Sequence, residues 1–147
     1  MIWQKEFTLE SLNEMNKGCM VENMGIVFTE IGDDYLVASM KVSNVTSQPM
    51  GLLHGGASVA LAESVASVAG NMAAPKGMIC LGLDINANHI RAQALGSMVY
   101  AKAKALFIGS TTQVWAIDIT NSANKLVCVV RMTLAVRHKT KSTSLKK

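Results

Sequence analysis

The chain has 147 residues, of which 50% are apolar and 16% are charged, a composition that excludes a disordered protein and predicts one compact domain. The formal net charge is +4, but residues 119–147 carry seven Lys or Arg residues and no acidic residue. A nucleic-acid-binding surface needs basic residues distributed over a folded face. This terminal concentration therefore argues against nucleic acid as a partner.

Cysteine usage and the N-terminal sequence bear on the cellular compartment. Cys19, Cys80 and Cys128 are odd in number, lack CxxC spacing and lie in apolar, strand-like sequence, which predicts small buried side chains. The N-terminal MIWQKEFTLESL lacks the basic start and apolar core of a signal peptide. The most apolar window, 52–74, is rich in Ala, Ser and Gly and contains Glu63, unlike a membrane span. We expect a cytoplasmic protein with no membrane partner.

The first predicted element is a short helix in TLESLNEMNKG. Thr8 can cap its N-terminus and Gly18 can end it. One face carries three apolar residues, Leu9, Leu12 and Met15.

Two strands are predicted next, in MGIVFTEIGDDYLVASMKV. The turn-forming IGDD separates two runs rich in β-branched and aromatic residues, which is typical of a hairpin. The second run alternates between two faces, with Leu36, Ala38 and Met40 on one and Tyr35, Val37 and Ser39 on the other.

A long helix is predicted in the middle of the chain, within QPMGLLHGGASVALAESVASVAG and the residues after it. It begins at Gly55 and Gly56, runs to about Met72 and ends before the sequence PKG at 75–77. Because it is apolar nearly all the way round, it must be buried on most sides. Its polar residues fall on one narrow stripe, which consists of Glu63, Ser64, Ser67 and Asn71.

The rest of the chain contains four strand candidates, ICLGLDINANHI, SMVYAKAKALFI, TTQVWAIDIT and LVCVVRMTLAVR. Consecutive strands of this kind favour an antiparallel sheet, so the fold class is α+β, with the long helix across one face of the sheet. Residues 1–138 form the single domain. Residues 139–147 hold four Lys residues and no acidic residue, which predicts a disordered basic tail.

Two features of the long helix indicate chemistry. Glu63 is a lone carboxylate in apolar sequence. It is either a salt-bridged surface residue or a base in a partly dehydrated site, where its basicity is higher. His54 precedes two glycines, either as an ordinary loop histidine or beside a helix N-terminus whose free N–H groups can polarise a carbonyl. The rise per residue places Glu63 roughly 11–13 Å along the helix. One chain therefore cannot easily bring both groups to one substrate atom, whereas a symmetric dimer can.

The same residues carry a resemblance to a known family. QPMGLLHGG followed by Glu63 resembles the hotdog-fold acyl-CoA thioesterases, within them the glutamate-type branch that hydrolyses aromatic acyl-CoA thioesters. The likeness extends through MIW, TLESLN, IGDD, INANHIR and GSTTQVW to about Ala135. It implies a hotdog fold, in which an antiparallel sheet wraps around one long buried helix.

The resemblance also implies roles at the reacting thioester. Glu63 matches the catalytic carboxylate, acting as nucleophile or as general base on water, and the Gly55 N–H matches the donor to the thioester carbonyl. Gln48 and His54 match polar groups that position the thioester. Ser67 matches a hydroxyl that orients the attacking water.

For the coenzyme, the resemblance implies that His89, Arg91 and Ser110 hold the CoA nucleotide. It implies no cofactor and no metal, and the sequence contains neither a GxSxG elbow, a GxGxxG motif, a P-loop nor an HExxH motif. The implied assembly is a homo-oligomer, a dimer at minimum and by resemblance a tetramer, with sites at the subunit interface.

The predicted function is hydrolysis of an aryl-CoA thioester to the free acid and CoA. Three alternatives remain open: proofreading of mischarged aryl carrier proteins, binding of acyl-CoA without turnover, and a hotdog hydratase. The hydratase needs a paired His and Asp for water addition, and the spacing from HGG to Glu63 argues against it.

Overall fold

The computed structural model describes residues 1–140 and contains the predicted order of helix, two strands, long helix and four strands, with one additional short helix. The elements are α1 (Leu9–Met15), α2 (Met20–Asn23), β1 (Val27–Ile31), β2 (Tyr35–Lys41), α3 (Gly55–Ala73), β3 (Met78–His89), β4 (Met98–Ile108), β5 (Thr112–Asn121) and β6 (Leu126–His138). Residues 141–147 of the predicted tail lie outside the described residues. Lys139, near the start of that tail, donates its backbone N–H to Gly77 O.

All six strands form one antiparallel sheet in the order β1-β2-β4-β5-β6-β3. β3 follows α3 directly in the chain, yet it pairs with the last strand and therefore lies at an edge. α3 contacts five of the six strands, so the sheet curves around it. This architecture confirms the predicted α+β fold class and the predicted hotdog fold.

Small side chains allow α3 to lie close to the sheet. Ala62, Ala66 and Ala69 of the helix are fully buried, as are Ala101 and Ala103 of β4. Larger residues, among them Trp115 and Leu134, fill the remaining core at no exposure to solvent. β4 alternates as SMVYAKAKAL indicates, since Ala101 and Ala103 are buried while Lys102 and Lys104 are exposed. β2 does not alternate in burial, because Val37 and Ser39 of its second face are buried as well.

Three contacts show that α3 runs antiparallel to β3. At the helix start, a β-carbon built on Gly55 would lie 2.9 Å from Nε2 of His89, the last residue of β3. In the middle, a β-carbon on Gly82 would lie 3.2 Å from Glu63 Oε1. At the helix end, Asn71 bonds Cys80. Glu63 and Asn71 of the polar stripe therefore lie beside Gly82 and Cys80 of the edge strand.

The segment before β1 departs from the sequence prediction. Cys19 is exposed and precedes α2, so its assignment to a buried strand is wrong. A helix of four residues is too short to show a periodic pattern, which is why the sequence did not reveal it. In α1, Thr8 forms the predicted cap and Leu12 is fully buried, whereas Met15 is 43% exposed.

Two side chains distant in sequence hold the C-terminal end of α3. Lys5 Nζ donates to Asn71 O of the helix at 2.8 Å and to Met78 O of β3 at 2.9 Å. Gln113 Nε2 donates to Gly70 O at 3.3 Å, which also accepts the Ala74 N–H. The Lys5 contact satisfies one of the last helix carbonyls, which have no partner within the helix. No helix within residues 1–140 is long and apolar enough to cross a membrane.

Asn71 connects α3 to the edge strand, because its amide donates to Cys80 O at 3.2 Å and accepts from Cys80 N at 3.0 Å. We expect Asn71→Ala to lower the free energy of unfolding by about 1–3 kcal/mol, since both bonds are lost in a half-buried site. Asn44→Ala is the control: Asn44 is exposed and has no recorded side-chain hydrogen bond within residues 1–140, so its change should stay within about 0.5 kcal/mol. Urea unfolding measures both, and equal stability of the two variants would contradict the role given to Asn71.

Candidate active site

The N-terminus of α3 forms one half of the candidate site. His54 is the N-cap, and its Nδ1 accepts the Gly56 N–H at 2.9 Å. A neutral ring that accepts at Nδ1 carries its proton on Nε2, which leaves a donor facing away from the helix. Within residues 1–140 the Gly55 N–H has no recorded acceptor. An unpaired N–H at a helix N-terminus can stabilise negative charge on a substrate oxygen.

The His89 ring explains why position 55 is glycine. Any larger residue would place a β-carbon 2.9 Å from His89 Nε2, closer than van der Waals contact allows. Nδ1 of the same ring lies 3.5 Å from Cys128 Sγ, which fixes the ring over the helix start. The structure therefore brings His89 to the reacting end of the site, beside Gly55.

Gln48 lies in the loop that leads into α3. Its Oε1 accepts the Met50 N–H at 2.6 Å and its backbone N–H donates to Leu52 O at 2.8 Å. The His54 N–H donates to the carbonyl of buried Thr46 at 2.9 Å, so the loop is held at both ends. The amide nitrogen of Gln48 has no recorded acceptor within residues 1–140 and is available as a donor.

Glu63 lies two turns further along α3, about 12 Å from Gly55 by helical rise. Its side chain is exposed and borders a cleft of about 260 Å³, lined by Gly82, Leu83, Asp84, Ile85 and Met132. Within the described residues its carboxylate has no recorded hydrogen bond or ion pair, which removes the salt-bridged interpretation there. The expected dehydrated setting is absent from the single chain.

The remaining polar residues of the stripe have different uses. The Ser64 hydroxyl donates to its own helix at Ala60 O, 2.7 Å away, and Asn71 holds β3. Ser67, one turn after Glu63, has no recorded side-chain hydrogen bond within residues 1–140. It borders an apolar cleft of about 440 Å³ lined by Lys5, Phe7, Leu12, Met15, Ser67, Val68, Asn71, Gly77, Met78, Ile79 and Lys139.

One chain brings together only two of the three residues predicted to contact CoA. Arg91 follows His89 closely and donates Nε to Leu126 O at 3.2 Å, with its side chain exposed. Ser110 lies in the β4–β5 turn, next to Thr111, whose carbonyl accepts the Val136 N–H. Across the sheet, Thr112 pairs with Ala135 of β6, and Ala135 pairs with Leu81 of β3. Ser110 therefore lies near the opposite end of β3 from His89, which pairs with Cys128 of β6. Seven residues of β6 separate Ala135 from Cys128, which corresponds to roughly 23 Å.

The buried thiols are poor nucleophiles. Burial raises the pKa of Cys80 to about 11, and burial also raises the pKa of Cys128. Both are therefore protonated at neutral pH, and the thiolate is the reactive form. The carboxylates remain as candidates for activating water.

Two residues of the site escaped the sequence interpretation. Asp84 borders the same small cleft as Glu63, and Lys5 borders the apolar cleft next to Ser67. Asp84 is a lone carboxylate in LGLDINANHI, a signal that could have been noticed. Lys5 gave no signal, because its contacts join residues 66 and 73 positions apart.

Comparison with known proteins agrees with this geometry. Residues 50–128 match the family model described as "Thioesterase superfamily". The chain is 48% identical over 136 residues to 1,4-dihydroxy-2-naphthoyl-CoA hydrolase of Escherichia coli, covering 92% of this chain and 99% of that one. It is 43% identical over 136 residues to the proofreading thioesterase EntH of Cronobacter sakazakii, covering 92% and 98%.

A solved structure is equally similar. The crystal structure of a thioesterase from Haemophilus influenzae superposes with a TM-score of 0.93 at 44% identity, covering 98% of this chain and 100% of that one. The range matched by the family model, 50–128, includes Gly55, Glu63 and the whole of α3. From its sequence, its fold and the arrangement of these groups, the chain belongs to the thioesterase superfamily.

Proposed function

We propose that the protein hydrolyses aromatic acyl-CoA thioesters, with 1,4-dihydroxy-2-naphthoyl-CoA or a similar aryl-CoA as substrate, a reaction that would place it in menaquinone biosynthesis. The single observation that carries the proposal is the pairing on one helix of two uncommitted groups, the Gly55 N–H and the Glu63 carboxylate. Acyl transfer requires such groups: a donor for the oxyanion and a base or nucleophile. The apolar cleft beside Ser67 offers room for an aromatic acyl group.

The chemistry follows from what each group can do. The Gly55 N–H hydrogen-bonds the thioester carbonyl and stabilises the negative charge that builds on oxygen. Glu63 takes a proton from a water oriented by Ser67, and the water oxygen bonds to the carbonyl carbon. The C–S bond then breaks, and the proton passes to the departing CoA sulfur. If Glu63 attacks directly, an anhydride forms and water hydrolyses it.

A second copy of the chain would complete the site. β3 is an edge strand of twelve residues, and Leu81 and Leu83 on it are 50% and 61% exposed. A long apolar edge favours pairing with another strand. Antiparallel pairing of two β3 strands about a two-fold axis near Ile85 would bring Glu63, beside Gly82, level with Gly55 of the other copy, beside His89. We therefore propose a cytoplasmic homodimer with sites at the interface.

Further association into a tetramer is consistent with a second apolar surface. Leu106, Phe107 and Ile108 near the β4–β5 turn are 62%, 57% and 39% exposed. Ser110 lies in the same turn. Contacts between copies are also the way in which Ser110 could approach a coenzyme held by His89 and Arg91.

A thiol-release assay tests the substrate class. We expect hydroxynaphthoyl-CoA and benzoyl-CoA to be hydrolysed with higher kcat/KM than short aliphatic or fatty acyl-CoA. The alternative, carrier-protein proofreading, is favoured by the likeness to EntH. Turnover of an aryl carrier protein well above that of the same aryl-CoA would select it, and binding of acyl-CoA without turnover would contradict both activities.

The catalytic role proposed for Glu63 can be tested by comparison with Asp84. We expect Glu63→Gln to lower kcat by about 10²–10⁴, the contribution of a general base, with the fold retained because the change is nearly isosteric. Asp84→Asn is the matched control, since it neutralises the other carboxylate of the same cleft. If Asp84→Asn is the inactive variant and Glu63→Gln retains turnover, the catalytic assignment moves to Asp84.

The coenzyme contact can be tested through Arg91. If its guanidinium pairs with a CoA phosphate, Arg91→Ala should raise KM about two- to tenfold and leave kcat nearly unchanged, because the contact is similar in ground and transition states. The KM of the wild type should also rise with salt. Lys17→Ala removes an equal charge on the exposed end of α1 and should change neither constant. A fall in kcat alone would assign Arg91 to the chemistry or the fold.

A further inference from the structure

The apolar cleft beside Ser67 has a charged end. Most of its lining is apolar, including Phe7, Met15 and Val68, but Lys5 and Lys139 also border it. None of the described residues that line the cleft is acidic. The cleft therefore combines walls suited to an aromatic ring with two unbalanced positive charges.

Lys5 is held in place with spare hydrogen-bonding capacity. An ammonium has three N–H donors, and two of them bond Asn71 O and Met78 O at 2.8 and 2.9 Å. No third acceptor is recorded within residues 1–140. Burial lowers the pKa of Lys5, the nearby Cys80 raises it in part, and the positive charge of Lys139 lowers it. An oxygen ligand could accept the third N–H and stabilise the charge of the ammonium.

Lys5 lies beside the C-terminal end of α3. Its distance from Glu63 along the helix axis sets the length of the ligand that fits. Glu63 and Asn71, whose carbonyl Lys5 bonds, are eight residues apart, about 12 Å along the axis. An attack distance of about 3 Å and a hydrogen bond of about 3 Å leave about 6 Å for the acyl group itself. The Glu63 side chain leans toward the helix N-terminus and the Asn71 carbonyl points toward the C-terminus, which extends this to roughly 6–9 Å. That is the reach of one aromatic ring, or two fused rings, with an oxygen at the far side.

We propose that Lys5, with Lys139 beside it, binds an oxygen substituent on the aryl acyl group, so that the enzyme selects aryl-CoA thioesters bearing a hydroxyl or carboxylate far from the thioester. The inference rests on the proposed function and adds the feature of the substrate that is recognised. Lys5 is a specificity-determining residue in this arrangement. The competing explanation is that Lys5 only caps the C-terminus of α3, where a cation is favourable.

Three probe esters of similar size separate these explanations: 4-hydroxybenzoyl-CoA, 4-carboxybenzoyl-CoA and 4-methylbenzoyl-CoA. A site that bonds a substrate oxygen discriminates against an analogue that lacks it. We expect the wild type to show a kcat/KM about ten- to a hundredfold higher for the preferred oxygen-bearing ester than for the methyl ester, as a charge-assisted hydrogen bond allows. The hydroxyl and carboxyl esters show which oxygen group fits.

The variant Lys5→Met keeps the length of the side chain and removes the ammonium. We expect it to reduce the oxygen-to-methyl preference, taken as the ratio of kcat/KM values of the same variant, to near one. Lys5→Arg should retain the preference. Lys76→Met is the control, because Lys76 is exposed, borders neither cleft of the site, and removes the same charge.

The outcomes distinguish this inference from the function on which it rests. Equal losses for all three esters in Lys5→Met, with a lower melting temperature, would show that Lys5 is only a helix cap and would overturn the inference alone. A wild type that prefers the methyl ester would do the same, even if Lys5→Met fails to fold. A wild type that hydrolyses no aryl-CoA would overturn both proposals.

Discussion

An α-helix rises about 1.5 Å per residue, so α3 separates residues 55 and 63 by about 12 Å along its axis however the rest of the chain moves. One chain therefore cannot easily bring both the Gly55 N–H and the Glu63 carboxylate to one thioester carbon. Everything else in the site depends on this fixed separation. In the proposed homodimer each helix would therefore provide two half-sites, and pairing of the β3 edges would be a condition for activity.

The two ends of α3 have different contacts. At the N-terminus His54 accepts the Gly56 N–H, and the Gly55 N–H has no recorded partner among the described residues. His89 lies close enough to position 55 to require glycine there. At the C-terminus Lys5, Gln113 and Asn71 hold the last turn against β3 and β5. The helix is thereby fixed at its C-terminal end, while its N-terminal end offers the N–H that we propose for the substrate carbonyl.

Periodicity predicted most of this fold because its elements are long and clearly patterned. α3 began at Gly55 as predicted and ended one residue later than expected, and β4 alternated as its sequence indicates. The position of β3 at the sheet edge was not predictable, because its pairing with β6 is a contact between residues distant in sequence. The polar stripe was identified correctly as a set, but only folding shows that Asn71 bonds β3 while Glu63 bonds nothing within the described residues. The contacts of Lys5 could not be predicted either, because they also join residues distant in sequence.

The most direct test of a shared site is complementation between two inactive variants. Glu63→Gln removes the carboxylate. Gly55→Pro removes the N–H at the first position of a helix, where the proline backbone is accepted, and its added β-carbon displaces the His89 ring. In mixed dimers assembled by co-expression with two tags, one of the two sites would have both groups intact. With random pairing, we expect the mixture to recover about a quarter of the wild-type kcat per chain. A mixture that forms mixed dimers and stays as inactive as its parents would contradict a site built from two chains.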